Sequence, residues 1–235
     1  MWDVVDGNAD VLMQDGSWFR ARHGNRPLPV QVAVVGPLDQ FVVAVDGAVE
    51  PFVFADTRAG PVLIDRGVLV HSFSRLEGPC YVGVSRWIVG EVEASIVQSF
   101  SNKYHEGFLG PSYVGEWLNL AAAAQTSDLR NDYDVVRVNG RSVSSGRTKV
   151  GSYIGDHAKT GQATLFNTGS TVGPFANALP DGTLRPTVIP VFCLAQQGEL
   201  RELSDLRKTF NTAARDAAPR PVLVRGTFGL LLSPL

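Results

Sequence analysis

The sequence predicts an all-β fold: a left-handed parallel β-helix of hexapeptide repeats, with a protruding hairpin loop and a C-terminal helix. Three observations predict it. Aliphatic residues fall six apart without a slip at Ile64, Val70, Leu76, Val82 and Ile88, and the step recurs at Val114, Leu120 and Thr126 and at Ile154, Thr160, Phe166 and Val172. Glycines and polar or small residues fill the places between them. The step then fails between Asp128 and Val150, and helical spacing replaces it after Glu199. A helix would space apolar residues three and four apart, and the hairpin strands of a sandwich two apart. A step of six suits a chain that turns after each short strand, sending one side chain per strand into a shared interior while glycine and polar residues take the corners.

In chain order, residues 1 to 28 read as a lead-in with a short helix around Trp2 to Met13, ended by Pro27 and Pro29. The coils are expected over residues 29 to 195. Residues 128 to 150 form an excursion in which Val135 to Val143 reads as a hairpin about the Asn139-Gly140 turn. Residues 196 to 235 hold an amphipathic helix, with Leu200, Leu203, Leu206, Phe210 and Ala214 at helical spacing up to Pro219, and a tail. Unlike elements at its ends are expected to cap a stack whose last coil would otherwise be bare.

The net charge of -2 gives no electrostatic reason to expect a nucleic acid or an anionic membrane as partner. Cys80 and Cys193 match no zinc or redox spacing, and His23, His71, His105 and His157 show no close pair at ligand spacing, so no metal is expected. The start, Met1 to Asp6, lacks the basic and apolar run of a signal peptide, and no apolar stretch is long enough to span a bilayer. A cytoplasmic protein is expected.

Lys103-Tyr104-His105-Glu106-Gly107-Phe108-Leu109-Gly110, followed by Val114 to Ala123, resembles the acetyltransferase half of the bifunctional glucosamine-1-phosphate acetyltransferase/uridylyltransferases. The intervals from His105 to Gly110 and to Asn119 match that family's catalytic histidine, corner glycine and asparagine. From Trp2 to about Cys193 the chain is similar to the C-terminal part of bacterial sugar nucleotidyltransferases, on the segments Glu91 to Ser95, Ser101 to His105, Gly155 to Gly161 and Phe166 to Gly169. In that family a nucleotide-binding domain with a Gly-rich phosphate loop precedes the β-helix, so nucleotidyl transfer is not expected of this chain alone.

The resemblance implies an acyltransferase that takes acetyl-CoA or another acyl-CoA, acts on a sugar phosphate or nucleotide sugar, and assembles as a homotrimer with sites between subunits. His105 takes the place of the general base, suited to it because an imidazole titrates near neutrality. Phe108, Asn119 and Asp128 take the places of acceptor contacts, Arg75 that of a phosphate donor, and Ala122 and Gln162 those that meet the cofactor's pantetheine arm. The chain departs from the pattern in four ways. Phe108 lacks a hydroxyl, Glu93 stands where the family has a lysine, Ala121–Ala124 replaces Gly-Ala-Gly-Thr, and the coils near Gly83 and Gly90 are fewer. These departures keep a second reading open, a non-catalytic trimerisation or regulatory module.

Overall fold

The computed structural model describes residues 2–84, 87–138 and 143–217. They form a mostly parallel β-solenoid of about nine turns followed by a helix. Three ladders of short strands make its three faces. The first face runs Ala33–Val35, Phe54–Asp56, Arg75–Glu77, Glu91–Glu93 and Phe108–Leu109, and resumes at Gln125–Thr126 and Leu165–Phe166. The second runs unbroken from Phe41–Val43 to Val188–Ile189, and the third from Ala48–Val49 to Cys193–Gln196. The step of six is the interior of this prism: every residue of the three predicted runs is buried.

Registers show where coils are long or short. Arg75 pairs with Phe54, 21 residues before it, and with Glu91, only 16 after it. The short corner ends at Gly90, whose φ of 87° lies in the left-handed region. A Cβ there would stand 2.8 Å from the Lys103 Nζ and 2.9 Å from the Gly107 carbonyl oxygen, so glycine is required. Where glycine and polar residues are expected at the corners, several left-handed corner positions instead carry aromatic side chains: Phe52, Phe73, Phe100, Trp117, His157, Phe175 and Phe192. Equivalent corners of successive coils lie one strand spacing apart, close to ring-stacking distance. Phe100, Trp117, His157, Phe175 and Phe192 accordingly stack in one ladder, with centroid distances of 4.3, 6.2, 4.8 and 4.9 Å. Buried serines seal another corner: the Ser112 amide donates to Ser95 Oγ at 3.1 Å and the Ser152 amide to Ser112 Oγ at 2.8 Å.

The lead-in is more helical than expected. Helix α1 covers Trp2–Asp6 and helix α2 covers Asn8–His23, well past Met13. Nothing in Asn8–His23 breaks a helix except Gly16, and tertiary burial outweighs that residue's propensity. Leu12 and Phe19 of α2 pack on Val42, Ala44 and Leu63, the outward side chains of the second face. The first strand begins at Ala33.

The excursion contains the hairpin, with Arg137–Val138 antiparallel to Val143–Ser144; its Asn139-Gly140 turn lies outside the described residues. The loop folds back on the solenoid. Val136, Val138 and Val150 bury themselves with Val5 and Tyr153, and Arg147 Nε meets Asp6 Oδ2 at 2.8 Å.

The C-terminal helix, α3, covers Leu206–Ala217 and does not begin at Glu199. Gln197 and Gly198, both at positive φ, instead turn the chain back, and Glu199–Glu202 pairs antiparallel with Cys193–Gln196. That strand covers the edge that the last coil would leave open. Helix α3 then lies against the aromatic corner, with Phe210 edge-on to Phe175 and Phe192.

Because Ile88 is buried in an aliphatic interior, Ile88→Ala is expected to cost about 2–4 kcal/mol, measured as the loss of unfolding free energy in a urea titration. A loss below about 0.5 kcal/mol would mean that this position does not face a packed interior.

Candidate functional site

His105 stands exposed on the corner between the third and first faces. Its ring meets Tyr104 edge-on at 5.1 Å, and Tyr104 packs in turn on His71 at 5.1 Å and Trp87 at 5.2 Å. Glu106 and Gly107, the next two residues, line an open cleft of about 450 Å³ on the first face together with Arg75, Phe108 and Gln125. Arg75 is partly committed there: its guanidinium pairs with Glu77 and Glu91 and lies 4.8 Å from the centre of the Phe54 ring.

Asn119 lies on the third face, the other flank of the same corner. It accepts a hydrogen bond from Asn102 Nδ2 at 2.9 Å, and its backbone bridges to Lys159 in the next coil. Ala122 and Gln162 sit on the His105 corner in the two following coils. The Ala123 amide donates to the Glu106 carbonyl at 3.0 Å, and the Ala163 amide to the Ala122 carbonyl at 2.8 Å. Ala123 and Ala163 hold φ of 58° there, so these corners take the left-handed conformation with a Cβ in place. Asp128 falls at the far edge of the first face, beside Glu93.

The corner thus carries His105, Ala122 and Gln162 in one column, Arg75 and Phe108 on one flank and Asn119 on the other. Asp128 is apart from them. Glu93 and Asp128 share one cation: Lys149 from the excursion stands 3.4 Å from both Glu93 Oε1 and Asp128 Oδ2.

Lys103 is a residue of the corner that the motif spacing does not single out. Lys103 is 3% exposed and occupies an interior position, aligned with Ile88 in the coil before it. Its Nζ reaches up into the corner and donates to the carbonyl oxygens of Val89 at 2.7 Å, Gly107 at 2.6 Å and His105 at 3.4 Å. Burial pushes its pKa down to about 8, against the opposing pull of Glu91 and Glu106. The signal was present in the repeat, since Val97, Lys103 and Leu109 keep the step of six with a lysine in an aliphatic place.

A second, smaller cleft of about 360 Å³ lies under α3, lined by His157, Lys159, Asn177 and Lys208 among others. Lys159 is paired with Asp216 of the helix, and burial lowers the pKa of His157, with Lys159 adding to the effect. Among the described residues no cluster of three or more His, Cys, Asp or Glu is placed to hold a metal ion, and no helix is long and apolar enough to cross a membrane.

No protein-family model matches the chain. It is 33% identical over 100 residues, 42% of this chain, to a bifunctional sugar-1-phosphate nucleotidylyltransferase/acetyltransferase of Sulfurisphaera tokodaii. It is 39% identical over 85 residues, 35% of this chain, to the bifunctional protein GlmU of Methanocaldococcus jannaschii. The matches span only 25% and 21% of those two relatives. Among solved structures, the acetyltransferase domain of PglB from Neisseria gonorrhoeae in complex with acetyl coenzyme A aligns with 70% of this chain and 58% of its own, at 13% identity and a TM-score of 0.29. A perosamine N-acetyltransferase from Caulobacter crescentus in complex with CoA and GDP-perosamine aligns with 84% of this chain and 67% of its own, at 14% identity and the same TM-score.

The Lys103 geometry makes a pH prediction. Below about pH 8 the lysine is charged in the folded and unfolded chain alike, and the folded chain bears the cost of burying that charge. Between about 8 and the ordinary 10.5 the unfolded chain binds the extra proton, so this lysine's contribution to stability rises with pH. The wild type is expected to gain on Lys103→Met by up to ~3 kcal/mol between pH 7 and 10, in paired urea titrations. A difference that stays flat over that range would show the ammonium to be solvated.

Proposed function

We propose that this chain is an acyl-CoA-dependent acyltransferase domain acting on a sugar phosphate or a nucleotide sugar, with His105 as its general base. One observation carries the reading: His105 stands in line with Ala122 and Gln162 on one corner, with Arg75 and Phe108 on one flank and Asn119 on the other. The similarity over 100 residues to a relative whose name joins sugar-1-phosphate nucleotidylyl transfer to acetyl transfer supports it. Nucleotidyl transfer itself is left to the part of such relatives that the match does not span.

In this reading the acceptor's amine or hydroxyl approaches His105, whose neutral imidazole takes its proton as the oxygen or nitrogen attacks the thioester carbonyl. The C–S bond then breaks and the CoA thiolate leaves, protonated by the imidazolium. An exposed histidine can meet an acceptor without rearrangement of the coil. The acyl-CoA arm lies along the corner column, against Ala122 and Gln162. Arg75 and Phe108 hold the acceptor from the first face and Asn119 from the third, with Asp128 a more distant contact. Two flanks of one corner diverge, so a closed pocket needs a second wall. A neighbouring subunit packed against the corner supplies it, which favours a homotrimer with sites at the interfaces. Acyl-CoA supply makes the cytoplasm the natural compartment.

A second reading is favoured by the alanine corner and by Arg75, which Glu77 and Glu91 already engage. The chain is then a non-catalytic trimerisation or regulatory module. Calorimetric titration with acetyl-CoA separates the two: micromolar binding supports the enzyme, and no heat at millimolar cofactor supports the module.

His105→Ala is expected to lower acetyl transfer from acetyl-CoA to amino-sugar phosphates by about 10²–10⁴ with the circular dichroism spectrum unchanged. Turnover equal to wild type would end the assignment of the base.

A further inference from the structure

Lys103 is the only charged side chain among the described members of the interior columns before the last coil, and its position is not explained by packing. Its neighbours along that column are aliphatic or small: Val49, Val70 and Ile88 on one side, Leu120, Thr160 and Ala178 on the other. A lysine head has three N–H donors. All three find acceptors, and the acceptors are the carbonyl oxygens that bracket the His105 corner: Val89 in the coil before, and His105 and Gly107 on either side of Glu106. The Val89-Gly90 corner is short enough to bring its carbonyl within reach, and glycine at 90 leaves room for the ammonium.

We propose that Lys103 is the positioning residue of the site: its ammonium, hydrogen-bonded from inside the solenoid to Val89, His105 and Gly107, fixes the corner that presents His105. The proposal rests on the reading of His105 as general base. The interaction is local, because the same corner's outward hydrogen bonds are backbone ones. The Glu91 amide donates to the Gly107 carbonyl at 3.2 Å and the Ala123 amide to the Glu106 carbonyl at 3.0 Å. Those two amides therefore report on whether the corner is held. Glu91 and Glu106 are the charged groups that face the ammonium, and both favour its protonated form. A buried lysine whose ammonium is matched donor for acceptor at one corner is placed for geometry.

The test compares wild type with Lys103→Met, which keeps length and removes the donors. Amide hydrogen exchange at Glu91 and Ala123 is expected to quicken by about tenfold or more, with Tyr153 and Thr171 in later coils unchanged. In the same variant kcat is expected to fall at least about tenfold while KM for acyl-CoA stays within about twofold, the pattern of a displaced base and an intact cofactor groove. Unchanged exchange at Glu91 and Ala123 overturns the proposal. A loosened corner with unchanged kcat upholds the clamp and overturns the role of His105 instead. Should the Met variant fail to fold, the wild type answers directly: at pH 6 the Lys103 ¹⁵Nζ is expected to show a slowly exchanging ammonium signal coupled through hydrogen bonds to the carbonyl carbons of Val89 and Gly107. A fast-exchanging, uncoupled signal overturns the proposal.

Discussion

A parallel ladder that winds into a prism must satisfy every backbone N–H and C=O from the coil above or below, and must fill its lumen with one side chain per strand. The rest of this structure depends on that constraint. Where the register holds, interior side chains stack in columns, and equivalent corners of successive coils come to lie one above another. A column of corners is therefore a place where side chains far apart in sequence stand in line. Phe100 to Phe192 use it to stack rings. Ala122 and Gln162 follow His105 for the same reason.

The same constraint makes interior charge costly, and among the described residues Lys103 and Arg185 break the rule. Lys103 does so in the middle of the solenoid, where its ammonium is taken up by corner carbonyls. Arg185 does so in the last coils, 2% exposed and ion-paired with Asp181, its Nε and Nη1 without hydrogen-bond partners. The first charge is matched donor for acceptor, and the second is only partly satisfied. The same constraint also gives the buried serines a sense. Ser95 and Ser112 satisfy buried backbone groups with a neutral hydroxyl, Ser95 Oγ donating to the Gly110 carbonyl and accepting from the Ser112 amide.

Much of this was legible in the sequence because a period of six has few physical solutions. Ile64 to Ile88 announced the interior, and the loss of step after Asp128 announced the excursion. What could not be read was set by contacts between distant segments. Helix α2 extends to His23 because Leu12 and Phe19 find Val42 and Leu63, partners that no local pattern names. Leu200 opens the helical spacing that continues through Leu203 and Leu206, yet Glu199–Glu202 forms a strand, because an open ladder edge and a tight turn at Gln197 and Gly198 outweigh that spacing. At the site, the motif around His105 was readable by spacing, and Lys103 was within it. Its interior position was hidden because a lysine two residues from a histidine reads as surface until the register places it inside. The cation that answers Glu93 was hidden differently: Lys149 is 56 residues away and arrives through the excursion.

The central claim is that the His105 corner and the corners below it form one acyl-CoA groove. It is tested most directly by titrating acetyl-CoA into isotopically labelled protein and following backbone amide shifts. The account predicts that the perturbed signals cluster on His105, Glu106, Ala122, Ala123 and Gln162, with α2 undisturbed. Perturbations confined to the cleft under α3, or none at saturating cofactor, would contradict it.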